Sequence, residues 1–243
     1  MDAIQGASRG VFVTFEGGDG AGKTTHINFL SDALRDAGHE VVRLREPGGT
    51  TVGELLRDVV LNPEHDAMSP EAELLIYEAA RAQLVFEVIA PALQRGAVVL
   101  CDRFYDSTVA YQAYGRGVSR EFVRQANMFA CQGIRPDRTI LIETDAPASV
   151  GLERAMHGRD GDRMERAGEH FHERVNRAYR DIAAASPDRV RVVVSQPTKA
   201  ETARLVFGAV ADLFGWDGDD LPFTDGYFEG ANLVHGKVRQ QEE

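Results

Sequence analysis

Cysteine is scarce. Cys101 and Cys131 are the two in 243 residues, too few for a disulfide framework. Neither belongs to a CxxC pair, so both read as small buried hydrophobes of a reducing compartment. Long apolar runs are missing as well: nothing approaches the roughly 18 residues that a membrane span requires. The opening MDAIQGASRG lacks the apolar core of a secretory signal. Together these absences predict a soluble, cytoplasmic protein with no membrane partner. Basic residues are outnumbered, 27 Lys and Arg against 38 Asp and Glu, for a formal charge of −11. A general nucleic-acid binder needs a basic field to neutralise phosphates, so nucleic acid is not an expected partner. An anionic ligand must instead be held by local geometry against the mean charge. No internal repeat or low-complexity tract is present.

What the chain does have is alternation. Short apolar runs at 10–16, 39–44, 96–101, 138–143 and 189–194 read as strands. Helical spacing occupies 23–37, 51–61, 70–94, 105–113, 119–131, 147–156, 169–185 and 198–214. Ser69-Pro70 makes a natural cap and first turn, and Gly38 a natural stop. The pattern predicts an α/β fold with a five-stranded parallel sheet flanked by helices on both faces. Ligands on such sheets gather at the carboxyl ends of the strands, here just after residues 16, 44, 101, 143 and 194.

Two segments break the pattern. Residues 157–168 (HGRDGDRMERAG) are charged and glycine-containing; they are either a plain loop or a mobile anion-binding lid, and Arg159, Arg163 and Arg166 favour the lid. Residues 215–243 hold five glycines and seven acids against two bases, a net of −5, and read as a disordered tail or a loosely docked strap. Asp217, Asp219 and Asp220 lack the further ligands and flanking helices of a calcium loop. The expected organisation is one domain over 1–214, its lid at about 154–168, followed by a tail over 215–243 of unknown role.

Directly after the first strand comes Gly17-Gly18-Asp19-Gly20-Ala21-Gly22-Lys23-Thr24-Thr25. This is the pattern G-x-x-x-x-G-K-[ST] in its required setting of strand, glycine loop and helix. The glycines let backbone N–H groups converge on one anion, and the helix start adds its positive end. Lys23 brings a mobile charge to the β- and γ-phosphates, and the Thr24 hydroxyl suits Mg²⁺. A glycine turn that merely joins strand to helix has no use for Lys-Thr at these positions. The expected ligand is a nucleoside triphosphate. Asp102, at the end of Val98-Val99-Leu100-Cys101, stands where a buried strand would place a carboxylate near the metal; capping the next helix is its other reading.

Arg45 opens Arg45-Glu46-Pro47-Gly48-Gly49-Thr50 after the second strand, and Arg103 follows Asp102 after the third. Two arginines at neighbouring strand ends exceed the needs of a triphosphate. They make sense if a second phosphate is held in line with the first, although each alone could be a surface ion pair. Tyr77 and Arg81 lie four apart on the long helix and share a face. A ring that stacks on a base, one turn from a guanidinium that donates to a carbonyl, would read a base; ordinary packing is the other reading.

In this order the elements resemble the thymidylate kinase family of P-loop nucleoside monophosphate kinases. The matching runs are FEGGDGAGKTT at 15–25, REPGGT at 45–50, YEAARAQ at 77–83, CDRFYDSTVAYQAYGRG at 101–117 and DRME at 162–165. The resemblance implies a three-layer P-loop kinase fold, transfer of the ATP γ-phosphoryl to dTMP in dTTP biosynthesis, Mg²⁺ as cofactor, and a homodimer. It implies that Asp19 lies near the acceptor's sugar and phosphate and that Arg45 and Arg103 clamp that phosphate. Tyr77 would stack on thymine, Arg81 would meet the base edge, and Thr108 and Tyr111 would meet base and deoxyribose. The loop positions Gly18, Asp19, Gly20 and Ala21 carry no base. The catalytic cation is therefore expected from the lid, from Arg154, Arg159 or Arg163, as in the bacterial arrangement. A kinase of another nucleotide or of a deoxynucleoside is the nearest alternative. A GTPase-type switch lacks its N-K-x-D run.

Overall fold

The computed structural model describes residues 9–156, 160–217 and 221–233. The strands β1 (Phe12–Glu16), β2 (Val41–Arg45), β3 (Val98–Asp102), β4 (Arg138–Glu143) and β5 (Val190–Val194) form one parallel sheet in the order β2-β3-β1-β4-β5. This is the expected five-stranded α/β sheet. Covered on both faces, its central strands are buried and mostly apolar. Side chains alternate across the pleat: Val13, Phe15, Leu100, Ile140 and Ile142 pack on one face, and Phe12, Val99 and Cys101 on the other. Both cysteines are free and buried.

The helices are α1 (Lys23–Asp36), α2 (Thr51–Leu61), α3 (Pro70–Leu84), α4 (Ala90–Gln94), α5 (Tyr105–Thr108), α6 (Arg120–Ala130), α7 (Ala148–Met156), α8 (Glu169–Ala185), α9 (Lys199–Val210) and α10 (Asp225–Glu229). α1 and α9 cover the first face; α3 and α4 cover the second. The single helix expected over 70–94 is divided by a wide π turn at Val85–Ile89. Pro91 lies just beyond it and has no N–H for the preceding turn, so the ladder loosens where a donor is missing. A second π turn, Val109–Gly115, extends α5 past the expected end at 113. Among the described residues no helix is long and apolar enough to cross a membrane.

Strand register is what assembles the site. Arg45 on β2 stands beside Asp102 on β3, and Asp102 stands beside Phe15 on β1, one residue before Glu16. An arginine, an aspartate and the phosphate loop thus leave the sheet side by side.

The acidic tail is docked over part of its length. Phe228 and Ala231 are fully buried among Phe29, Leu30, Phe207 and Val210, with Trp216, Leu221, Phe223 and Tyr227 packed around them. Phe223 and Phe228 meet the Phe207 ring edge-on, each with centroids 5.1 Å apart. Asp217 is described; Asp219 and Asp220 lie outside the described residues.

Candidate active site

The phosphate loop turns tightly because its glycines permit it. Gly17 has φ 131° and would drive a Cβ into the Ile142 carbonyl oxygen. Gly22, at φ 90°, occupies the N-cap position of α1. Lys23 is buried, and its ammonium donates to the carbonyl oxygens of Gly17 at 3.1 Å and Gly18 at 2.9 Å. Burial, then the nearby Arg103 charge, holds its pKa below the usual lysine range. Beside it the Thr24 hydroxyl donates to Asp102 Oδ2 at 2.9 Å. A hydroxyl and a carboxylate converging at a phosphate loop are hard oxygen donors and fit Mg²⁺, which takes its remaining ligands from phosphates and water.

These groups open into a cavity of about 770 Å³. Asp19, Gly20, Gly22, Thr25, Arg45, Tyr77, Arg81, Arg103, Thr108 and Tyr111 all border it. Gly17, Gly18 and Ala21 border a smaller cleft on the other side of the loop, which Asp19 also reaches.

Three further cations border the cavity. Arg103 donates through Nη2 to Asp19 Oδ1 at 2.6 Å, and its guanidinium lies 5.1 Å from the Tyr111 ring centre. Arg45 pairs with Glu54 at 2.9 Å and also donates to the Pro47 carbonyl. The third, Arg57, was not singled out from sequence; it borders the cavity and donates to the same Pro47 carbonyl at 2.9 Å. Its signal was available, since Glu54 and Arg57 are one helical turn apart on α2, beside the REPGGT loop. Burial and the Arg45 charge lower the Arg57 pKa, as expected where cations are crowded to receive an anion.

Another wall of the cavity is built from α3 and α5. Arg81 is 1% exposed. Its Nε and Nη2 donate to Glu46 Oε2 at 2.9 and 2.7 Å, and its Nη1 donates to Glu78 and Asn127 at 2.7 and 2.8 Å. A guanidinium has five N–H donors, so one on Nη2 is left for a ligand. Burial pushes Glu46 up to about 7, against the pull of Arg81. Thr108 is also 1% exposed, borders the cavity, and its hydroxyl has no partner among the described residues. Such an orphan costs free energy unless a ligand completes it. Tyr111 approaches Asp19 at 3.4 Å, a weak contact.

The lid arginines divide. Arg154 on α7 borders the cavity, and Arg159 lies outside the described residues. Arg163 is turned away. It is buried, pairs with Glu73 at 2.7 Å and donates through Nε to the Val60 carbonyl at 2.8 Å. Asp162 accepts the N–H groups of Met164 and Glu165, and Glu165 accepts that of Asp162. DRME is thus a self-capped turn, completed before α8 begins.

A family model for thymidylate kinase matches residues 15–205. The chain is 48% identical over 186 residues to the thymidylate kinase of Pelobacter propionicus, covering 74% of this chain and 84% of that one. It is 47% identical to that of Geobacter sulfurreducens over 210 residues, 84% and 96% of the two chains. The crystal structure of thymidylate kinase from Ehrlichia chaffeensis superposes with a TM-score of 0.68 at 30% identity, over 85% of this chain and 99% of that one. Fold, phosphate loop and sequence agree, and the chain belongs to the thymidylate kinase family.

Proposed function

We propose that this enzyme transfers the γ-phosphoryl group of ATP to the phosphate of dTMP, giving dTDP in the route to dTTP. One observation carries the reading. Arg103 at the end of β3 is bonded to Asp19 inside the phosphate loop, and both face the cavity that Lys23, Thr24 and Asp102 share. A second anion site is thereby built onto the first. Phosphoryl transfer needs little else, because the work is alignment and stabilisation of charge. An oxygen of the dTMP phosphate forms the new bond to the γ-phosphorus, the bond to the β–γ bridging oxygen breaks, and ADP leaves. That oxygen is already ionised near neutral pH, so no general base is required.

Lys23 exchanges the Gly17 and Gly18 carbonyls for ATP phosphate oxygens. Thr24 and Asp102 would hold Mg²⁺, which when bound offsets charge on the β- and γ-phosphates. Arg45, Arg57 and Arg103 receive the acceptor phosphate. Tyr77 stacks on the base, while the remaining Arg81 N–H and the Thr108 hydroxyl meet its polar edge. Arg154, with Arg159 further along the lid, supplies the last cation as water is excluded, and Arg163 anchors the segment on Glu73. The protein works as a homodimer. Val52, Leu55 and Val59 on α2, Leu75 on α3, and Phe122, Met128 and Phe129 on α6 are exposed apolar side chains on packed neighbouring helices. A second copy of the same face would cover them.

The test is ADP release with a panel of acceptors: dTMP, dUMP, other nucleoside monophosphates, and thymidine. Turnover is expected with dTMP and not with thymidine, which brings no phosphate to the arginines. Preference for another monophosphate would reassign the base wall; turnover with thymidine would remove the second anion site.

A further inference from the structure

Behind Arg103 lies a polar group that no substrate role above uses. Arg103 sits at φ 71°, a left-handed conformation costly for a residue with a side chain. The next N–H, that of Phe104, donates to Glu16 Oε1 at 2.8 Å. Glu16 is fully buried. Its other oxygen accepts the hydroxyls of Ser107 at 2.6 Å and Tyr179 at 2.9 Å. The Phe104 N–H fixes one oxygen as an acceptor, and the Ser107 and Tyr179 hydroxyls, themselves 2.8 Å apart, both reach the other, while burial and the neighbouring Asp106 raise the Glu16 pKa.

Each hydroxyl has a single proton. With those protons directed at Glu16, both oxygens offer lone pairs to Arg103, whose Nη1 donates to Tyr179 at 3.0 Å and to Ser107 at 3.3 Å. Burial and the Glu16 charge raise the Tyr179 pKa well above that of a free phenol, so it stays a donor. The two hydroxyls orient the guanidinium from behind without setting a second carboxylate on it beside Asp19, which it already meets at 2.6 Å. The acceptor phosphate then competes with Asp19 alone for its charge.

We propose that Tyr179, on α8, is a positioning residue for the acceptor phosphate: its hydroxyl, fixed by Glu16, holds the Arg103 guanidinium in the plane that receives that phosphate. The proposal rests on the reading of Arg103 as an acceptor clamp. Tyr179→Phe tests it, because the ring keeps its edge contact with Tyr111, at 6.5 Å between centroids, and a single oxygen is removed. Titration calorimetry with dTMP and with thymidine, on wild type and variant, is the measurement. Affinity for dTMP should weaken about five- to twentyfold, with a matching fall in kcat/KM for dTMP. Thymidine binding and the KM for ATP should stay within about twofold. Equal weakening of dTMP and thymidine would mean that Tyr179 only supports the fold. Unchanged dTMP affinity would mean that it does nothing for Arg103. Both results overturn the proposal. If wild type itself binds dTMP no better than thymidine, the clamp and its positioning residue fall together, and that is seen before any substitution is compared.

Discussion

Arg45 and Arg103 hold their present partners on different terms. The Arg45 side chain is 45% exposed and tied to a carboxylate that is itself open to water, a pair of small net worth. The Arg103 side chain is 16% exposed, bonded to Asp19, and backed by two hydroxyls. Arg103→Ala should therefore weaken dTMP by roughly a hundredfold, and Arg45→Ala nearer tenfold, from a contact worth about 1.5–3 kcal/mol. ATP affinity should change far less in both, and titration of each variant with the two nucleotides separates the cases. Equal losses for both substrates would misplace the acceptor end. His26 makes a prediction of another kind. It is buried on α1 with an unpartnered Nδ1, and burial, then the Lys199 charge, lowers its pKa from 6.5 to about 4. The native state resists the proton that the unfolded chain accepts, so stability is full above about pH 6.5 and is lost as pH falls toward 4, by up to about 3 kcal/mol. Urea unfolding of wild type and His26→Gln from pH 7 to 4 should show the steeper decline in wild type. Parallel curves would mean that His26 is not the group responsible.

Among elements, α7 and the segment from Asp160 to Ala167 place Arg154 and Arg163 differently: the first borders the cavity and the second is buried away from it. Arg163 reaches Glu73, a fully buried carboxylate that also receives Gln112 at 2.8 Å and Arg116 at 3.1 Å. One carboxylate on α3 thus ties together the π turn after α5 and the segment from Asp160 to Ala167. With Arg163 gone, Glu73 keeps Arg116 and loses the more buried of its two cations, which costs about 2 kcal/mol, less than breaking a lone buried pair. Arg163→Ala should lower the melting temperature by several degrees. Arg154→Ala, on the cavity wall, should leave melting unchanged and reduce kcat by about 10²-fold or more. Calorimetry beside steady-state kinetics reads both, and the reverse assignment would make Arg163 the finger. Spacing alone did not distinguish them, because Glu73 is 90 positions away in sequence and spacing reports only neighbours on one helix. What was legible follows the same logic. Buried parallel strands are mostly apolar runs, and the phosphate loop and REPGGT are local. The π turns, Arg57 and the Glu16–Tyr179 link depend on ladder geometry or on contacts between distant elements.

For the whole molecule the tail is an addition to the family's fold. The family match ends at residue 205, and the Geobacter sulfurreducens relative aligns over 96% of its own length with 84% of this chain. The segment after α9 thus lies outside the family match. Yet Phe228 is fully buried against α1 and α9, and Trp216 stacks on Phe207 with centroids 6.1 Å apart. Charge arithmetic concealed this, because a net of −5 over 215–243 says nothing about where four aromatic side chains go. None of them borders the nucleotide cavity. The segment should accordingly contribute stability and not chemistry. Burying an aromatic side chain is worth about 1.5–3 kcal/mol, and ordering the segment's backbone offsets much of the sum. Ending the chain after Phe214 should lower unfolding stability by about 2–4 kcal/mol, and Phe228→Ala alone by about 3 kcal/mol through the cavity it leaves. In both, kcat and the KM for dTMP should stay within about twofold of the full chain at a temperature where each is folded. Urea unfolding followed by Trp216 fluorescence serves Phe228→Ala, and circular dichroism serves the shortened chain, which lacks that tryptophan. If neither midpoint moves, the aromatic cluster is not docked in solution. If kcat falls while stability holds, the tail acts on the phosphate loop through α1, whose first turn carries Lys23 and Thr24.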